Sequence, residues 1–243
     1  MPFSNGLSIG PYQIIEEIGR GGMATVYKAY HAALDRYVAI KVVQTAYADD
    51  INFLSRFQRE ARVIARLEHA NIVPVYDYAQ AEGLPYIVMK YINGESLKER
   101  LKQHVLTYGE IGQIMEAVGT ALTYAHSQNV LHRDIKPANV LIDQQGHYYL
   151  ADFGLARLVQ SSEISLTDGR MIGTPQYMSP EQALSLPNLD RRSDIYSLGI
   201  MLYEMLVGRP PFDADTPFTV IHDHIYTPPP LPRTLNVEVP QAL

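Results

Sequence analysis

The 243-residue chain contains no cysteine, which excludes a disulfide frame, thiolate nucleophiles and cysteine-rich metal sites. It has no excess of positive charge. Its 20 Lys and Arg against 26 Asp and Glu give a formal net charge of -6, so nucleic acid and anionic lipid meet no general attraction. No apolar run reaches the roughly 18 residues of a membrane span, and no membrane contact is expected from this segment. The opening MPFSNGLSIG has neither the basic nor the apolar stretch of a secretory signal, which makes the expected location the cytoplasm. What the chain does have is 47% hydrophobic residues. That is enough to bury a substantial core, in one large domain or two lobes sharing a cleft.

Polar groups concentrate in residues 130–156, VLHRDIKPANVLIDQQGHYYLADFGLA. Apolar runs at 140–142 and 148–151, separated by the turn-forming 143–146, predict a short hairpin. His132, Arg133, Asp134 and Asn139 precede its first strand, and Asp152, Phe153 and Gly154 follow its second. Three acceptor side chains therefore share one edge, an arrangement suited to a cation. Phosphoryl transfer needs such a set, with one carboxylate to orient a hydroxyl and an amide and a second carboxylate to hold metal.

His132-Arg133-Asp134-Ile135-Lys136-Pro137-Ala138-Asn139 followed by Asp152-Phe153-Gly154 resembles the catalytic and metal-binding loops of the protein kinases, closest to bacterial kinases of the eukaryotic Ser/Thr type. The resemblance implies an α+β, bilobal fold. Residues 1–92 would form a small antiparallel β-sheet lobe with one main helix, and residues 93–243 a mostly helical lobe. It implies ATP as phosphate donor, Mg2+ (or Mn2+) as the metal, and Ser/Thr hydroxyls of proteins as acceptors. A homodimer for trans-autophosphorylation is left open. In this reading Asp134 is the base, Lys136 steadies the transferred group, and Asn139 and Asp152 hold the metal.

Upstream, three β-prone runs at 12–18, 25–30 and 37–43 surround Gly19-Arg20-Gly21-Gly22-Met23-Ala24. Glycines there let backbone N–H groups approach phosphates, although Gly-x-Gly also suits an ordinary hairpin turn. A dinucleotide fingerprint would need a helix next, and β-prone Thr25 and Val26 follow instead. Ala24 stands where the kinase pattern has its third glycine. By resemblance Ile18, the loop from Gly19 to Ala24, Thr25, Val26 and Ala39 enclose the nucleotide, and Lys41 grips its α- and β-phosphates. Residues 49–69 show helical spacing at Phe53, Phe57, Ala61, Ile64 and Leu67. Glu60 beside that stripe is the expected partner of Lys41; a surface helix charge is the plainer alternative. The strand at 85–92 leads to an Asn93-Gly94 break. Met89 would back the adenine pocket, the backbones of Lys90 and Ile92 would bond the base, and Ser96 and Leu141 would complete the site.

Downstream, a helix at 110–127 buries Ile111, Ile114, Met115, Val118, Leu122 and Ala125. His126 and His132 are expected to be structural, with His132 bonding backbone near Asp152 and packing on Phe153. A helix at 193–207, apolar on most faces, is expected to open on the capping pair Ser193-Asp194 and to stop at Gly208. In kinases its aspartate bonds backbone near His132 and Arg133. Thr174, in the 173–181 segment that resembles a peptide-docking loop, would bridge Asp134 and Lys136. The polar stretch 155–172, with Ser161, Ser162, Ser165, Thr167, Asp168 and Gly169, reads as an activation loop whose phosphate, on Thr167 or Ser165, would bind Arg133. His222 and His224 should face different ways on a helix rather than share a metal. Glu181 lacks its family arginine, since Arg191, Arg192, Arg209 and Arg233 lie in other contexts, so a C-terminally truncated kinase domain is expected. A nucleotide-binding scaffold without activity, or a small-molecule phosphotransferase, are the alternatives.

Overall fold

The computed structural model describes residues 3, 5–22, 24–44, 51–153 and 175–241, with residues 51 and 52 described in backbone only. Met23, Gly154, Gly173, Thr174 and the nominated activation-loop residues lie outside the described residues. The chain folds into two compact units, the first spanning Met1–Asn93 and the second beginning at Gly94.

The first unit is a six-stranded antiparallel sheet in the order β1-β2-β3-β4-β6-β5. Its strands are β1 Ser8–Ile9, β2 Tyr12–Arg20, β3 Ala24–His31, β4 Arg36–Val43, β5 Val75–Ala81 and β6 Leu84–Lys90. Alternation decides which face is core: Tyr27, Ala29, Val38, Ile40, Val42 and Val88 pack with Ile14, Tyr86 and Phe3. The opposite face carries Val26, Lys41 and Ile87 in one cross-strand row and Lys28, Ala39 and Met89 in the next. Helix α1, Ile51–Ile64, packs against β5 at the edge of this sheet. Its Phe53 and Phe57 stack, and Phe57 meets Tyr78, which pairs with Ile87, at 5.7 Å. The helix stops short of the expected residue 69, although Leu67 beyond it is still buried.

The second unit is built on two helices. In α3, Tyr108–Ser127, Ile111, Ile114, Ala117, Val118, Ala121, Leu122 and Ala125 are buried, and Thr107 with Glu110 closes a reciprocal cap. The expected Met115 is half-buried beside that face. Packed on α3 is α5, Arg191–Val207. Its cap is Asp190 rather than Ser193-Asp194, because the helix begins two residues earlier and takes both side chains inside. Around this pair lie α2 Leu97–Gln103, α4 Pro180–Ala183, α6 Pro217–Tyr226 and α7 Pro232–Leu235. The hairpin predicted around 143–146 is present as β8 Val140–Asp143 and β9 Tyr148–Leu150. A third strand, β7 Gly94–Ser96, pairs with β8 and begins at Gly94, where the chain passes from the first unit to the second. A Cβ there would stand 1.8 Å from the Ile142 carbonyl oxygen, a clash only glycine avoids.

Candidate active site

The 132–139 loop is fixed from beneath by one buried carboxylate. Asp194, 1% exposed in the first turn of α5, accepts the His132 N–H at 2.9 Å on Oδ2 and the Arg133 N–H at 2.7 Å on Oδ1. His126 Nε2 stands 2.7 Å from the same Oδ2. Burial pushes the Asp194 pKa up, but the His126 bond and the two N–H groups outweigh it and hold the carboxyl below its ordinary value. Gln182 adds a hold from α4, donating Nε2 to the Arg133 carbonyl at 2.9 Å. Arg133 itself sits at φ 68° and Asp152 at φ 65°. Both are left-handed for residues that have a Cβ, a strain of about 1–3 kcal/mol each that such anchoring must offset.

His132 is 0% exposed, and burial lowers its pKa, so the ring is neutral. Its Nδ1 accepts the Asp134 N–H at 3.2 Å, which leaves the proton on Nε2, 2.8 Å from the Ala151 carbonyl oxygen. The ring lies 4.5 Å from that of Phe153. One imidazole thus ties the loop of Asp134 to the strand end that carries Asp152.

Asp134 is held on both oxygens. Lys136 Nζ reaches Oδ1 at 2.9 Å and Oδ2 at 2.7 Å. Asn139 Nδ2 donates to Oδ2 at 2.9 Å and to the Asp134 carbonyl at 2.7 Å. An amide spending its N–H2 on Asp134 has its Oδ1 left as the hard donor a divalent cation prefers. The Ala151 N–H donates to the Asn139 carbonyl at 2.8 Å, so Asp152 follows directly on a residue bonded to Asn139. The donor set, one amide oxygen and one carboxylate, fits a small oxygen-seeking cation. Among the described residues no group of three or more His, Asp or Glu could hold a metal by itself. His224 is buried and His222 half-exposed, on different sides of α6.

In the sheet unit, Val26, Ala39, Lys41 and Met89 share one face of the sheet. Glu60 lies on α1 with a side chain 14% exposed, 3.7 Å from Arg59. The β2–β3 turn closes with the Gly21 N–H on the Ala24 carbonyl and Gln44 Nε2 on the Gly21 carbonyl. Thr25 is buried, whereas Ile18 beside the turn is 43% exposed. A Cβ at Gly19 or Gly21 would meet nothing closer than 3.9 or 3.7 Å. No described residue therefore crowds out a side chain at either position. The Lys90 N–H donates to the Pro74 carbonyl. Ser96 caps α2 in a reciprocal pair with Glu99 and stands opposite Leu141 across β7–β8.

The protein kinase domain family matches residues 12–241. The chain belongs to the protein kinase family. Serine/threonine-protein kinase PrkC of Bacillus subtilis is 42% identical over 235 residues, covering 96% of this chain and 36% of that one. Serine/threonine-protein kinase PksC of Streptomyces coelicolor is 42% identical over 247 residues, covering 98% and 44%. The chain spans about a third of the length of curated relatives such as PrkC. The solved kinase domain of PknI from Mycobacterium tuberculosis superposes with a TM-score of 0.75 at 29% identity, over 98% of this chain and 86% of that one. The α+β kinase fold expected from sequence is the fold found, and the family implies ATP and a divalent cation. Neither alternative, scaffold or small-molecule phosphotransferase, has a counterpart among these relatives. No helix among the described residues of this kinase domain is long and apolar enough to cross a membrane.

Sequence reasoning missed three contacts around α5. Ser193 Oγ donates to Glu181 at 2.5 Å, Ser197 Oγ to the Tyr177 carbonyl at 2.7 Å, and Tyr177 OH to Glu204 at 2.6 Å. Ser193, Ser197 and Glu204, spaced by four and seven residues, stack on one face of an otherwise apolar helix. That spacing was the available signal. Burial, then the nearby Glu204 carboxylate, raises the Tyr177 pKa; burial likewise raises that of Glu204.

Proposed function

We propose that this kinase domain transfers the γ-phosphoryl group of ATP to Ser and Thr hydroxyls of proteins. The observation that carries the proposal is Asp134, clamped on both oxygens by Lys136 and Asn139 in a loop tied to Asp152. In this reading residues 1–92 grip the nucleotide and residues 93–243 present the acceptor. Lys41, steadied by Glu60, holds the α- and β-phosphates. The glycine turn with Met23 covers them, and Ile18, Val26, Ala39, Met89 and Leu141 enclose the base, with Ser96 at the ribose. The backbones of Lys90 and Ile92 bond the base. Asn139 and Asp152 would hold a divalent ion, Mg2+ with Mn2+ as alternative, which supplies charge neutralisation at the phosphates.

Asp134 accepts the proton of an incoming hydroxyl as that oxygen attacks the γ-phosphorus in line, the bond to the β,γ-bridging oxygen breaks and ADP leaves, and Lys136 faces the charge that develops on the transferred group. Thr174 bridges Asp134 and Lys136 on the acceptor side. A second copy of the chain, meeting it in the cytoplasm, is one such acceptor, through Thr167 first and Ser165 second. The test is incubation with ATP and Mg2+ beside a generic protein acceptor, followed by phosphoamino-acid analysis. Phosphoserine and phosphothreonine are expected. Bound nucleotide with no phosphoprotein would support the scaffold reading instead, and Mg2+ replaced by Mn2+ in parallel decides the metal.

A further inference from the structure

Strand β6 ends at Lys90 and β7 begins at Gly94, so Tyr91, Ile92 and Asn93 lie between strands with no ladder of their own. Positioning them is left to side chains. In the β4–β6 pairing Ala39 stands opposite Met89, and Val38 opposite Lys90 ends the ladder. Carried one step further, that antiparallel register sets Tyr37 beside Tyr91, on the same face as Ala39 and Met89. The two rings do meet there, with centroids 6.4 Å apart. Into the wedge between them reaches Lys28 of β3, which pairs with Ala39. Its Nζ lies 4.7 Å from the centre of the Tyr37 ring and 4.8 Å from that of Tyr91. Glu16 stands 3.6 Å from the same Nζ, but its side chain is 54% exposed, and ion pairs of that kind contribute little. The Lys28 side chain is only 21% exposed. An ammonium over aromatic faces is held more firmly as water leaves it.

We propose that Lys28 is a positioning residue for the nucleotide: its ammonium, held by the Tyr37 and Tyr91 rings, ties the stretch after β6 to β3 and β4 and so sets where the backbones of Lys90 and Ile92 stand. This rests on the reading that those two backbones bond the base. A lysine that served only its ion pair would be missed no more than Glu16 is. A lysine that works through the rings is replaced by arginine, which also lies over aromatic faces, and not by glutamine, which keeps much of the stem and loses the charge.

The experiment compares wild type with Lys28→Gln, Lys28→Arg, Tyr91→Leu and Glu16→Gln in calorimetric titrations with ATP and with adenosine, in hydrogen–deuterium exchange of the peptide covering 88–93, and in steady-state kinetics. Lys28→Gln should weaken ATP and adenosine alike by about threefold to tenfold, the size of one or two such contacts. Exchange at 91–93 should quicken, while kcat at saturating ATP and the KM for the protein acceptor stay unchanged. Tyr91→Leu should show the same pattern, and adding Lys28→Gln to it should weaken binding no further, because both changes remove one contact. Lys28→Arg and Glu16→Gln should remain within about twofold of wild type. Unchanged ATP affinity in Lys28→Gln, a Lys28→Arg as weak as Lys28→Gln, or an equal loss in Glu16→Gln overturns the proposal alone. A wild type that binds no ATP brings down the nucleotide reading, and the proposal with it.

Discussion

Asp194 takes three hydrogen bonds where water can replace none of them. Removing it in Asp194→Ala strands the His132 and Arg133 N–H groups and the partner of His126. Losing one side of such a buried charged network costs about 3–5 kcal/mol, so urea unfolding should show a loss of that size; a loss below about 1 kcal/mol would mean that the three bonds are not all made. The histidines carry a pH dependence set at a higher pH than that of this carboxylate. His132 and His224 are both held below their ordinary value by burial. Below pH of about 6.5 the unfolded chain takes up protons that the folded chain refuses. Their contribution is therefore intact above that pH and falls away on acidification, while that of Asp194 survives to lower pH. The urea midpoint should be lower at pH 5.5 than at pH 7.5, and equal midpoints would contradict the neutral, buried rings. The cap expected at Ser193-Asp194 was misplaced because Asp190 offers the same chemistry nearby. Local sequence does not say which acid a distant loop will claim.

Among the elements, those with a full periodic face were legible: β3, β4, the β8–β9 hairpin, α3 and α5. Strand β5, VYDYAQA, was not, because it lies at the sheet edge with no fully buried position, and alternation fades when neither face is core. Strand β7 was hidden for a different reason. Asn-Gly reads as a break from sequence, and the two units do divide there, but nothing local shows that Gly94 also lets its backbone meet Ile142. The β2–β3 turn gives the converse case. No described residue crowds Gly19 or Gly21, so the demand for glycine comes from what the turn covers. Gly21→Ala should leave the melting temperature within about 2 °C, since surface changes away from packed contacts stay within about 0.5 kcal/mol. It should raise the KM for ATP severalfold. Melting curves and ATP titrations of the same sample check it, and a large loss of stability with an unchanged KM would contradict it.

For the whole molecule, the motif of the 132–139 loop was readable because its residues are adjacent or a few apart in sequence. Of the supports, Asp194, which reaches His132 across 62 positions, was expected through the family resemblance alone, and Gln182, which reaches Arg133 across 49, was not expected. Only folding brings those together, and periodicity carries no trace of them. They nonetheless decide whether Asp134 is held ready, so the central claim is best tested at that residue. Asp134→Asn keeps the size of the side chain but offers one acceptor oxygen where Asp134 offers two, and it cannot accept a proton. Phosphate transfer from ATP to a protein acceptor and nucleotide affinity should be measured together for this variant and the wild type. Transfer reduced by about 10²- to 10⁴-fold with ATP affinity unchanged is the expected result, and full transfer by Asp134→Asn would contradict the account.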